Sequence, residues 1–276
     1  MAAWVPRTRR TTRFMFTQTL GIENDPFATF LFLAISGFSL YLVVSGLSYL
    51  VLFKWLRPRI NPDYRPDWKE NRTAIKWAFF SIVGNAVLTA PIHVLIATGH
   101  SQIYFDVDEH GWGYLFASIG IMLVITETLV YWAHRILHMG FMYRRLHRFH
   151  HMFHRPTPWA SVSFHPADSF LQALPHHLCA FLFPLHVSVY LLSVTLVTVW
   201  AVIIHDRLTI VRWGAINYTD HHSVHHWYYD YNYGQYTTFW DRICGTYRSP
   251  KPGAGWWPPR EAPEVAEKRY DPMVSE

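Results

Sequence analysis

Hydrophobic positions in this chain come in long unbroken blocks, not in the alternation of a half-buried strand. Residues 26 to 53 are apolar for more than twenty positions before Lys54, Arg57 and Arg59 close the block. As a helix that block is long enough to cross a hydrocarbon layer of about 30 Å. Residues 75 to 98 and 113 to 133 supply a second and a third block. A fourth, 170 to 204, is too long for one crossing and contains Pro175 and Pro184. It predicts a hairpin of two helices, either spanning or re-entering from one side. The pattern as a whole predicts an all-α integral membrane bundle of about four to five membrane helices or re-entrant hairpins.

The polar residues between the blocks set an orientation. Lys54, Arg57, Arg59, Arg65, Lys69, Arg72 and Lys76 crowd the first connection, whereas residues 101 to 112 contain no lysine or arginine. The excess of basic residues on cytoplasmic loops places 54 to 76 inside and 101 to 112 outside. The third block then returns to the inside just before His134, and the hairpin returns just before His205. Arg7, Arg9, Arg10 and Arg13 disagree, since a complete first crossing leaves them outside. The opening MAAWVPRTRRTTRFMF lacks a compact apolar core and a small-residue cleavage site, so insertion is expected to use an internal span.

Composition agrees with a lipid-embedded chain: 51% of residues are hydrophobic and 16% charged, against roughly a quarter charged in soluble proteins. The net charge of +5 comes from arginine-rich clusters beside apolar runs, which suits anionic headgroups, and no nucleic-acid module is present. Cys179 and Cys244 form neither a disulfide framework nor a CxxC pair, which argues against thiolate metal chemistry. The segment from Lys251 onward is rich in proline and charge and predicts a poorly ordered extension.

Histidine carries the chemistry. HRILH places His134 and His138 four apart at the end of the third block, HRFHH places His147, His150 and His151 at i, i+3 and i+4, and HSVHH repeats that spacing with His222, His225 and His226. Each set lies on one face of a helix. Neutral imidazole is the commonest protein metal ligand, and eight rings exceed the three or four that one zinc takes. Two adjacent ions at a cytoplasmic-face helical cap are the inference. Ligand type alone does not choose among iron, zinc, copper and nickel. His205 is a candidate ninth ligand, and His221 and His177 are candidates for ligation or for bonding to a ligand ring. His154, His165, His176 and His186 are expected to cap helices or line the interface. His93, His100 and His110 lie far from the cluster in this topology.

Glu127, seven residues before His134 inside an apolar block, is either a carboxylate orienting a ligand ring or a protonated core carboxyl. Asp206 and Asp220 flank candidate ligands and are either orienting groups or surface charges. The run WYYDYNYGQYTTFW, 227 to 240, either walls an apolar substrate channel or anchors the interface.

The boxes HRILH, HRFHH and HSVHH, in this order and with a long gap before the last, resemble the fatty acid hydroxylase and sterol desaturase superfamily of membrane non-haem di-iron enzymes. PTPWASVSFHPADSFLQALPHH from Pro156, FPLH from Phe183, IHD from Ile204 and YNYGQYTTFWDRICGTYRSP from Tyr231 resemble C-5 sterol desaturases in particular. The resemblance implies a single membrane-bound domain over 1–276, with a catalytic part at 115–250 and tails at 1–25 and 251–276. It implies conversion of a Δ7-sterol to a Δ5,7-sterol with dioxygen and two electrons from NAD(P)H through cytochrome b5 or a ferredoxin-like donor. It carries a catalytic, iron-ligating role onto His134, His138, His147, His150, His151, His222, His225 and His226, with His205 as an added metal ligand and zinc as an alternative occupant in purified protein. It places the chain in the endoplasmic reticulum of a eukaryote or the cytoplasmic membrane of a bacterium. The rival readings are a sterol 4-methyl oxidase or lipid hydroxylase with the same dimetal site, and a membrane metal-binding or transport protein.

Overall fold

The computed structural model of the chain describes residues 16 to 250, apart from 63, 155 and 211. Among these residues the architecture is a helical bundle, and its strands are limited to one two-residue pair. Residues 1–15 and 251–276, and with them the arginines that disagreed on topology and the predicted extension, lie outside the described residues.

Helix α1, Pro26–Ser48, starts where the Asp25 side chain accepts hydrogen bonds from the Phe27 and Ala28 amides at 2.9 and 3.0 Å, with proline in the first turn. This is the capping that a helix start requires. It continues as a π-helical segment, Tyr49–Trp55, and the two together span 30 residues, about 45 Å at 1.5 Å per residue. Helix α2, Trp68–Ala97, is capped in the same way by Asp67. Helix α3 covers Gly111–Leu137 and stops immediately before His138. Helices α4, Pro166–Leu182, and α5, Val187–His205, are the two arms of the predicted hairpin. Helix α6, Thr219–Tyr228, carries the last histidine box.

Four of these segments, α1 with its π-helical continuation, α2, α3 and α5, are long and apolar enough to cross a membrane. They present large apolar side chains such as Ile35, Val87, Val124 and Leu192 outward, which lipid can cover and water would not. Helix α4 differs. It is seventeen residues long, buries Asp168, His176 and His177, and packs between α2 and α3. Helix α4 is too short to join those four, and its polar side chains are turned into the bundle. Pro175, read from the sequence as a second punctuation, sits inside α4, and the chain turns only at Phe183 and Pro184. There β2, Leu185–His186, pairs in parallel with β1, Ile103–Tyr104, and closes that end of the bundle.

The opposite end holds the histidines. Ser163 donates to the Ala74 carbonyl at 2.8 Å, and Trp77 packs against Phe149 with ring centroids 4.3 Å apart. The basic connection between α1 and α2 therefore shares an end with the segment that carries His147, His150 and His151. Gly84 of α2 lets that helix approach the start of α4 closely, since a Cβ there would meet Pro166 Cγ at 2.6 Å.

Candidate metal centre

The last turn of α3, the turns over Tyr143–His151, the end of α5 and helix α6 converge on one point. Spacing within each segment stacks its rings on one face, and the bundle brings the faces together. His134, His138, His147, His151 and His225 form one group, and His150, His205, His222 and His226 form a second; within each group one ring nitrogen per residue lies within 4.8 Å of all the others. The groups adjoin, with the His151 and His226 ring centroids 4.8 Å apart. All but His138 are buried. The nine are the histidines singled out from the boxes together with His205.

The ring nitrogens show what the arrangement can hold. His134 Nε2, His138 Nε2, His147 Nε2, His150 Nδ1, both nitrogens of His151, His225 Nε2 and His226 Nδ1 are buried without a hydrogen-bond partner among the described residues. A buried polar atom left unpaired costs about 1–3 kcal/mol, so a cluster of them in a folded protein calls for a partner such as an ion. In the second group the Nε2 atoms of His205, His222 and His226 lie 3.1 to 3.3 Å from one another. Burial, reinforced by neighbouring rings, pushes His138, His150, His151, His222 and His226 well below the ordinary histidine value of 6.5, and His225 down to about 3. The rings are thus neutral at pH 7 and offer lone pairs. Two groups of imidazole nitrogens without a thiolate fit two borderline transition-metal ions.

Several rings have their second nitrogen tied down. His147 Nδ1 bonds Asp168 at 2.8 Å, and Asp168 also accepts from Gln172 at 2.7 Å. His134 Nδ1 bonds the Tyr233 carbonyl at 2.9 Å, His225 Nδ1 the Tyr231 carbonyl at 2.8 Å, and His205 Nδ1 the Ala201 carbonyl at 2.6 Å. A carbonyl only accepts, so in the last three Nδ1 carries the hydrogen and Nε2 keeps the lone pair.

This shell differs from the one expected. Among the described residues Glu127 bonds no histidine; it accepts from the Tyr236 amide at 2.8 Å, the Thr237 amide at 3.1 Å and the Thr237 hydroxyl at 2.8 Å. Asp206 accepts from the Leu208 amide, with burial raising its carboxyl to about 7, and Asp220 accepts from the Thr209 hydroxyl. The residue that does hold a ring, Asp168, was not singled out, because nothing in its spacing ties it to His147. The aromatic run 227–240 does more than wall a channel: its main chain supplies the carbonyls on His134 and His225, while Gly234 and Gln235 line the cavity described below.

The remaining histidines fall elsewhere. His221 Nε2 lies 3.3 Å from the Tyr247 hydroxyl. His177 bonds the Tyr190 hydroxyl, which also reaches His93 Nε2 at 3.1 Å, a polar clasp joining α2, α4 and α5 near the far end of the bundle. His165 and His186 cap α4 and α5. His154 meets Tyr229, and His176 meets the Tyr236 hydroxyl. A cavity of about 420 Å³ starts at His134, His150, His205 and His222, runs between α1, α2, α4 and α5, and reaches His93 and His177. Ser36 of α1 and Thr195 of α5 are exposed residues in its wall.

Against known proteins, the family model described as fatty acid hydroxylase matches residues 119–246. The chain is 38% identical over 240 residues to the lathosterol oxidase of Homo sapiens, covering 84% of this chain and 79% of that one. The chain belongs to the fatty acid hydroxylase family. Among its sterol desaturases, the chain is also similar to the Delta(7)-sterol 5(6)-desaturase ERG3 of Saccharomyces cerevisiae, with 41% identity over 220 residues, 78% of this chain and 59% of the relative. The Delta(7)-sterol 5(6)-desaturase erg32 of Schizosaccharomyces pombe is 38% identical over 221 residues, 80% of this chain and 67% of the relative. No solved structure matches the chain. The family match takes in all three histidine boxes, so all nine clustered rings fall inside it.

Proposed function

We propose that this chain is a membrane-bound non-haem di-iron sterol C-5(6) desaturase. It takes a Δ7-sterol, dioxygen, two electrons and two protons to the Δ5,7-sterol and two waters. The observation that carries the reading is the joining of two adjacent groups of histidines, seven of which carry an unpartnered buried ring nitrogen, to one end of an apolar cavity lined by the membrane-crossing helices, in a chain with the relatives above.

One ion would be held by His134, His138, His147, His151 and His225, the other by His150, His205, His222 and His226. When bound, the iron pair supplies the oxidising power that an unactivated C–H bond demands and that no side-chain acid or base possesses. The rest is the protein's own work. Apolar walls from α1, α2, α4 and α5 take the ring system from the bilayer and exclude water. Asp168 keeps a hydrogen on His147 Nδ1, so that Nε2 faces the centre.

The basic connection at the histidine end supports a cytoplasmic active site, in the endoplasmic reticulum of a eukaryotic host or the cytoplasmic membrane of a bacterial one. Electrons come from NAD(P)H through cytochrome b5 or a ferredoxin-like donor docking at that face. The catalytic part is residues 115–250 of a single domain. Expression in cells that lack sterol C-5 desaturation, followed by sterol profiling, tests the reading. Accumulation of a conjugated Δ5,7-diene, abolished by iron chelation, is the expected result. A product that retains oxygen assigns the chain to the hydroxylases or 4-methylsterol oxidases, and metal flux in liposomes without sterol consumption assigns it to transport.

A further inference from the structure

Two buried carboxylates near the candidate metal centre bond no histidine among the described residues. Asp241 accepts from the Tyr233 amide at 2.8 Å, the Gly234 amide at 2.9 Å and the Thr246 hydroxyl at 2.7 Å. Glu127, on α3, takes the next donors along the chain, the amides of Tyr236 and Thr237 and the Thr237 hydroxyl. Between them they hold both ends of the segment 233–237. The Gly234 N–H and the Tyr233 carbonyl belong to one planar peptide unit. One edge of that plane bonds Asp241 and the other bonds His134 Nδ1 at 2.9 Å. The carboxylate therefore acts on the imidazole through a single rigid group. A negative charge on the N–H side also polarises the carbonyl, which strengthens its pull on the His134 hydrogen and the donor power of Nε2.

The space around this peptide is closed. A Cβ on Gly234 would collide with the Thr237 carbonyl and lie 3.0 Å from Asp241 Oδ2 and 3.2 Å from Glu127 Oε1. The Asn217 side chain further fixes the Gly234 carbonyl. The anchors are also uneven. The Asp168 carboxylate and the carbonyls of Tyr231 and Tyr233 all serve rings of the five-histidine group, whereas among the described residues the anchor in the four-histidine group is the Ala201 carbonyl on His205.

We propose that Asp241 and Glu127 are positioning residues which, through the peptide joining Tyr233 to Gly234, orient His134 and so govern ion retention in the five-histidine group alone. The inference rests on the metal reading above, and its test separates the two. Metal-depleted full-length protein in detergent is titrated with Co²⁺ and followed by its visible absorption. The expected result is two ions for the wild type. Asp241→Asn and Glu127→Gln should each weaken one ion by about ten- to a hundredfold, the range for removing a group that orients a ligand, and leave the other unchanged. The spectrum of the remaining ion should match that of His134→Ala and differ from that of His205→Ala. Gly234→Ala, which displaces the peptide with both carboxylates intact, should give the same phenotype.

Two ions retained at unchanged affinity in both carboxylate variants overturn the inference and leave the metal reading standing. Loss of both ions in step, or a chain that no longer elutes as a single species, assigns the carboxylates to folding and also overturns it. A wild type that binds no ion overturns both readings together.

Discussion

At the scale of single residues, the centre depends on imidazoles that stay neutral and point one way. Among the described residues, Asp168 is the one carboxylate bonded directly to a clustered ring. Asp168→Asn keeps the volume, weakens the hold on His147 Nδ1, and should cost about ten- to a hundredfold in metal affinity or activity, read by ion titration beside sterol turnover. Burial also makes the metal-free protein sensitive to acid. The folded-state values of His150, His151, His222, His225 and His226 are depressed below 6.5. An unfolded chain therefore takes up protons that the folded one refuses, and stability rises with pH wherever that holds. The contribution is fully present above 6.5 and is lost as pH falls below it. Thermal midpoints of the metal-free protein should drop between pH 7 and 5.5, and a flat profile would show that the cluster opens to water without metal.

At the scale of elements, α2 against α4 fixes how the cavity meets the histidines. Gly84 permits that contact, and close packing of membrane helices relies on small residues. Gly84→Ala should push Pro166 away and cost about 1–3 kcal/mol, as overpacking does, measured as a lowered thermal midpoint in detergent; an unchanged midpoint would mean that the two helices separate freely. The hairpin expected over 170–204 is present as α4 and α5. Its arms differ because α5 is apolar along its length, whereas α4 buries Asp168, His176 and His177 and bonds them inside the bundle. Asp168, Gln172, His176 and His177 make α4 the less hydrophobic arm, and it is the bundle that gives those polar groups their partners.

For the whole molecule, the proposed substrate route from bilayer to metal centre passes between α1 and α5, where the exposed residues Ser36 and Thr195 are in the cavity wall. Thr195→Trp should lower sterol turnover while leaving ion content unchanged, because it fills the cavity wall about three helical turns from His205. Equal loss of both would place the entrance elsewhere.

The sequence by itself determined the helical blocks and the eight histidines of the three boxes, and left His205 a candidate that the fold brought in. Both are local properties: crossing a bilayer needs a continuous apolar run, and spacing at i, i+3 and i+4 stacks rings on one face whatever the rest of the chain does. Only the tertiary structure decided which groups act on those rings. Glu127 reaches Tyr236 and Thr237 more than a hundred positions away, and His134 meets Tyr233 across 99. A main-chain carbonyl leaves no mark in residue identity, and a carboxylate finds its partner only when the helices have packed. That is why Glu127, seven residues before His134 and so on its side of the helix, proved to hold a loop, and why Asp168, with no telling spacing, proved to hold a ring.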